Sequence, residues 1–217
     1  ASGCEVVASS APVVTASCPV SSLIQVAKLS TVNFVHPVLA STNRWSGETV
    51  GVEASMKRVL VGSVTSEGVK AMRADVVQAK YGLDGKGVKI GVMSDSYNNK
   101  MGETADITSG DLPKKGVTVV KDLKAGGTDE GRAMLQIIYD IAPQAELYFY
   151  TAFDGKGDFA CGIKELAKKG CKVIVDDIIY NNEPMFQDGI VAKAVDEVYE
   201  SGVAYFSAAN NYARQSW

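Results

Sequence analysis

From about residue 66 onward the chain alternates short apolar, β-branched runs with amphipathic helical stretches, and no other feature restricts the fold so strongly. The runs fall at residues 88–93, 117–120, 146–150, 173–175 and 203–207. A helix opens at Gly127-Thr128-Asp129-Glu130, with Thr128 as the expected N-cap and acids in the first turn. Asp158 is the expected cap of the next, with Ile163, Leu166 and Ala167 on one face and Gly170 as its stop. A last helix spans about 188–201, turns Val191, Ala194, Val195 and Val198 inward, and ends at Gly202. Strands separated by helices of this length predict a doubly wound, parallel α/β sheet.

The 217 residues exceed one domain of roughly 150, and the surplus lies at the front. The expected division is an N-terminal arm at 1–66 and an α/β domain at 67–217. The arm begins small and apolar, with Pro12 and Pro19 and no clear period. It continues with a helical run at 21–29, an alternating strand-like run at 32–37 and a turn-rich stretch at 41–51. Hydrophobic residues make up 46% and charged residues 22%, which excludes a disordered chain. With 22 Lys+Arg against 25 Asp+Glu and a net charge of −3, no nucleic-acid partner that depends on counterion release is expected. No stretch reaches the ~18 apolar residues of a membrane span. The chain starts at Ala1 without a charged-then-apolar leader, so any signal peptide is expected to have been removed or never included.

Of the four cysteines, Cys4 and Cys18 could bridge each other. Cys161 and Cys171 flank a predicted helix about 16 Å long, too far apart for a bridge. Free buried thiols with at most one disulfide is the preferred reading. No CxxC spacing suggests zinc, and the single histidine, His36, is expected to be structural or exposed.

In open α/β sheets function gathers beyond the carboxyl ends of the strands. That rule selects Asp95, Asp176, Asp177, Asn210 and Asn211, together with Glu130 in the first turn of its helix. Positions 130, 134, 138 and 141 form one stripe of Glu, Met, Ile and Ile, so Glu130 heads the expected buried face while Asp129 points to water. An acid heading an apolar stripe needs a buried partner, and Asp95 is the expected one. Alone, Asp95 reads as a turn residue bonding its own backbone. Strand alternation puts one of Asp176 and Asp177 on the substrate side, and Asp177 is chosen. Three acids around one crevice repel unless they share protons or a cation.

Several segments resemble a known family. Gly85-Lys86-Gly87-Val88-Lys89-Ile90-Gly91-Val92-Met93-Ser94-Asp95-Ser96 resembles the catalytic-aspartate strand of subtilisin-like serine peptidases. Ile141-Ala142-Pro143-Gln144-Ala145-Glu146-Leu147-Tyr148 looks like the segment that follows their base-bearing helix, and 202–211 is similar to the strand that ends on their oxyanion asparagine. The resemblance covers about 67–217 and implies a subtilisin-like fold, with Asp95, Glu130 and Asn211 in catalytic roles and Asp177 at the substrate. The family's His-Gly-Thr is absent, and its base position falls on Glu130, as in the sedolisin branch. The sedolisins' second helix acid would fall on Met134, so Asp95 would have to serve instead. No Gly-Thr-Ser nucleophile motif occurs, and no other serine replaces it; Ser63 and Ser66 precede the domain. Helix 21–29 followed by Val32-Asn33-Phe34-Val35-His36-Pro37 resembles the end of a subtilase propeptide, with an ordinary helix–strand connection as the equal alternative.

The resemblance implies a secreted, zymogen-type serine endopeptidase acting on a peptide or protein, completed by a C-terminal segment and inactive without it. No cofactor is expected; calcium is possible by family analogy, but no ligand loop is present. A pseudopeptidase or binding module is the alternative. A flavodoxin-like or receiver-like domain, with Asp176-Asp177 as phosphoacceptor cluster, is a third class, but no Lys closes the fifth strand. Residues 203–207 are expected to form an exposed apolar edge.

Overall fold

In a computed structural model, the structure describes residues 3–38 and 62–211. The turn-rich stretch at 41–51 lies outside them. The order of elements is β1 (Glu5–Ser10), β2 (Val13–Ser17), α1 (Leu23–Ala27), α2 (Gly68–Ala71), α3 (Ala74–Tyr81), β3 (Lys89–Ser94), α4 (Glu103–Ser109), β4 (Thr118–Lys121), α5 (Glu130–Ile141), β5 (Glu146–Thr151), α6 (Lys156–Lys168), β6 (Val173–Asp176), α7 (Ile190–Glu200) and β7 (Ala204–Ser207).

β3 to β7 form one five-stranded sheet in the order β4-β5-β3-β6-β7, with every pairing parallel. The five apolar runs are therefore the five strands, and the α/β expectation holds. Alternation along β3 feeds two cores. Ile90 and Val92 pack with Leu147 and Phe149 beneath Met134, Leu135 and Ile138 of α5 and Ile107 of α4. Met93 packs on the other face with Tyr148, Tyr150 and Ile174 beneath Phe159, Ile163 and Leu166 of α6 and Ala194 and Val198 of α7. The helices thus cover both faces.

The strand order has a chirality consequence. β4→β5 and β5→β6 advance in the same direction across the sheet, yet α5 and α6 lie on opposite faces. Their crossovers therefore have opposite hands, although such connections are right-handed in about 98% of cases. β3→β4 runs the other way with α4 on the α5 face, so it shares the hand of α6, as does β6→β7. The α5 crossover is the odd one. The order also separates the sheet from the flavodoxin-like and receiver-like arrangement, in which the first strand sits between the second and third.

The arm differs from expectation. Residues 5–17 form an antiparallel hairpin closed by a Cys4–Cys18 disulfide. It lies against α6, where Cys161 Sγ reaches Ser9 O at 3.2 Å. The alternating run at 32–37 is not a strand: Phe34, Val35 and His36 are exposed, and among the described residues no strand pairs with it. Cys161 and Cys171 are free thiols. Helices α2, α3 and α4 were not evident from periodicity. α3 matters to the site because Gln78 Nε2 donates to Asp140 O at 3.0 Å and Ile141 O at 2.7 Å, satisfying carbonyls at the end of α5 that have no intrahelical partner. Among the described residues no helix is long and apolar enough to cross a membrane.

Candidate functional site

β3 connects towards one side of the sheet and β6 towards the other. The crevice beyond their carboxyl ends is the topological switch point where ligands bind in such folds. β3 delivers Ser94 and Asp95 there, β6 delivers Asp176 and Asp177, and the N-terminus of α5 overhangs them.

Asp95 is 1% exposed, and its carboxylate is filled by the start of α5. It accepts the backbone N–H of Ser96 and of Thr128, the Thr128 hydroxyl at 2.6 Å and the Glu130 N–H at 3.1 Å. Amides at a helix start have no carbonyl of their own, so a buried anion there satisfies donors and complements the dipole. This cap comes from another strand. The expected local cap is absent: Asp129 occupies the N-cap position at φ 64° without a side-chain cap bond, and Thr128 uses its hydroxyl on Asp95.

Asp129 overturns the expectation that it points to water. It is 5% exposed and accepts Ser96 Oγ at 2.7 Å, Asn99 N at 2.7 Å, Lys100 N at 2.8 Å and the Arg132 guanidinium. Burial pushes its carboxyl up, but these hydrogen bonds outweigh it and hold the group below its usual range. Arg132 continues to Asp106 at 2.7 Å and to Tyr97 O at 2.6 Å. The loop after β3 is thereby folded around the helix start. The buried stripe of α5 is centred on Gly131 and Leu135, one position round from the expected one. Glu130 sits half-buried at its flank.

Asp176 and Asp177 part as alternation requires. Asp176 accepts Tyr205 Oη at 2.6 Å, Ser207 Oγ at 3.0 Å and Ile178 N at 2.9 Å, an arrangement directed at β7. Burial raises its carboxyl despite these bonds. Asp177 lies on the α5 face and meets the Glu130 side chain. Burial and the Glu130 charge push its carboxyl up to about 7, with the nearby Ser94 hydroxyl acting in the opposite direction. Ser94 Oγ lies alongside without completing a hydrogen bond, and Asp177 Oδ1 is likewise buried without a partner.

The expected carboxyl pair therefore has a different membership. Glu130 meets Asp95 through its backbone N–H and Asp177 through its side chain. Asn211 follows β7 at the same end of the sheet and is exposed. Asp158 is not a cap: Gly155 precedes α6, and Asp158 is buried within the first turn, bound to Lys121 Nζ at 2.8 Å and Tyr150 Oη at 3.1 Å. An open cleft of about 510 Å³ lies between the loops after β3 and β4, lined by Asn98, Asn99, Lys100, Asp122 and Lys124 among others. Among the described residues no group of three or more His, Cys, Asp or Glu side chains could hold a metal ion.

Sequence reasoning missed Ser94, Ser96 and the Asp129–Arg132 pair. The i,i+3 spacing of that pair was the one available signal. Compared with models of known families and with curated proteins, the chain matches none.

Proposed function

We propose that this chain carries the acid half of a serine-peptidase-like active site, related to the subtilisin and sedolisin pattern. The observation that carries the reading is the meeting of Glu130 and Asp177 at the switch point, under a helix start held by Asp95. The motif order at 85–96, 141–148 and 202–211 supports it. Glu130 would take the proton of a serine hydroxyl as that oxygen attacks a peptide carbonyl, and would return it to the leaving amine. Asn211 would donate to the developing oxyanion, a contribution of about 2.7–4 kcal/mol to the barrier in such sites. The Cys4–Cys18 bridge supports an oxidising compartment, in line with secretion and with a propeptide-like arm.

Because Asp177 holds its proton up to about pH 7, it adds a negative charge beside Glu130 as the pH rises past neutrality. Hydrolysis is therefore expected to be fastest in mildly acidic solution. The 217 residues contain no Gly-Thr-Ser, which favours a second reading as a binding module that keeps the fold without the chemistry.

Fluorophosphonate labelling of the polypeptide as its gene encodes it separates the two. The peptidase reading expects one reactive serine outside residues 1–217, labelled roughly 10²-fold more slowly in Glu130→Gln. No reactive serine at any pH from acidic to mildly alkaline would leave only the binding module.

A further inference from the structure

We propose that the cleft between the loops after β3 and β4 binds an acidic peptide segment, whose carboxylates are held by Lys100 and Lys124. The site stands apart from Glu130 and Asp177 and does not depend on the peptidase reading. Its walls are fixed before any ligand arrives. Asn99 ties them together: its Nδ2 donates to Leu123 O at 2.8 Å, and its Oδ1 accepts Gly127 N at 3.2 Å. Asp122 adds a second tie by accepting Tyr97 N at 2.9 Å and Asn98 N at 3.0 Å. Walls already cross-linked lose little freedom when a ligand binds.

The groups left over define the ligand. Among the described lining residues, two lysines stand against one acid, Asp122. Its oxygens are already occupied by the Tyr97, Asn98 and Leu123 amides. Lys100 and Lys124 are exposed, and neither ammonium forms an ion pair among the described residues. The backbone of Lys124, Ala125 and Gly126 is equally open: none of its N–H or C=O groups is hydrogen-bonded among the described residues. Gly126 turns at φ 87° with nothing within 4 Å of where a Cβ would sit, and a left-handed residue in such a turn lets neighbouring N–H groups converge on an anion. Free N–H and C=O groups side by side match a peptide main chain, whereas a fully ionised phosphate offers acceptors alone. The cleft of about 510 Å³ falls within the roughly 300–1,000 Å³ of sites that take an extended organic ligand. No aromatic side chain is among its described lining residues, so a nucleobase finds no ring to stack on.

Amide NMR titration of the protein with an acetylated, amidated tetraglutamate tests the site without turnover. Tetraglutamine and inorganic phosphate are the other two arms. Tetraglutamate is expected to shift the Lys124, Ala125 and Gly126 amides to saturation, and to bind more weakly as added salt screens the lysines. Lys100→Gln and Lys124→Gln should each weaken that binding about two- to fivefold, with the rest of the spectrum unchanged. Tetraglutamine should leave the three amides where they are. Amides at 124–126 that ignore tetraglutamate, or respond equally to tetraglutamine, overturn the proposal. So do two lysine variants that both bind like wild type. Phosphate saturating the same amides at lower concentration than tetraglutamate overturns the peptide assignment in favour of an inorganic-anion site.

Discussion

Asp95, Asp129 and Asp177 are the same residue type within one end of one sheet, and their surroundings give them three different tasks. Asp95 and Asp129 each meet several N–H or O–H donors, and at Asp129 these bonds outweigh burial and hold the carboxyl below its usual range. Asp177 meets a carboxyl group and an incomplete hydroxyl contact, so burial raises it. The sign of the consequence follows. A carboxyl raised from 3.8 to about 7 binds its proton more tightly in the folded state. That contribution is complete below about pH 3.8 and is lost as pH rises through about 7. Asp177→Asn holds the site neutral at every pH. Relative to wild type, the variant should gain stability between about pH 4 and pH 8, by at most about 4 kcal/mol, in urea unfolding at a series of pH values. An unchanged difference across that range would show that Asp177 is not protonated in the fold.

At the scale of elements, α5 is placed by its ends and by one glycine. Asp95 and the Asp129–Arg132 network hold its start, and Gln78 from α3 holds its end. Gly131 lets it lie close to β5: a Cβ there would come within 2.3 Å of the Phe149 ring and 2.8 Å of Ser96 O. Anchors at both ends explain how α5 keeps a crossover of the rarer hand. Gly131→Ala should cost about 1–3 kcal/mol by overpacking and should lower the midpoint of urea unfolding. A variant as stable as wild type would mean that the close approach is not a constraint. The apolar runs of all five strands and the periodicity of α6 and α7 were legible because burial imposes them on sequence. The hairpin at 5–17 was not, because its strands are exposed ribbons with small residues and little alternation. α2, α3 and α4 were too short for a period to show.

For the whole molecule, the sheet among the described residues ends on β7. Its Phe206 is 60% exposed, because α4 and α5 cover the β4-β5-β3 side of that face while Phe206 lies in register with Val175 at the far edge. An unpaired apolar edge strand templates association. Phe206→Lys should raise the concentration at which light scattering sets in by about twofold or more, with thermal stability retained. No change in scattering would exonerate the edge. The sequence by itself determined the α/β class, the positions of the five strands and the residues that emerge at their carboxyl ends, because period and burial are local signals. Which acid meets which was decided only by tertiary structure. Strand order sets the neighbours of β3, and the face taken by α5 sets where Glu130 lies, with its backbone N–H on Asp95 and its side chain towards Asp177. No spacing along the chain encodes that contact, since it joins residues 130 and 177 through the packing of separate elements on one face of the sheet.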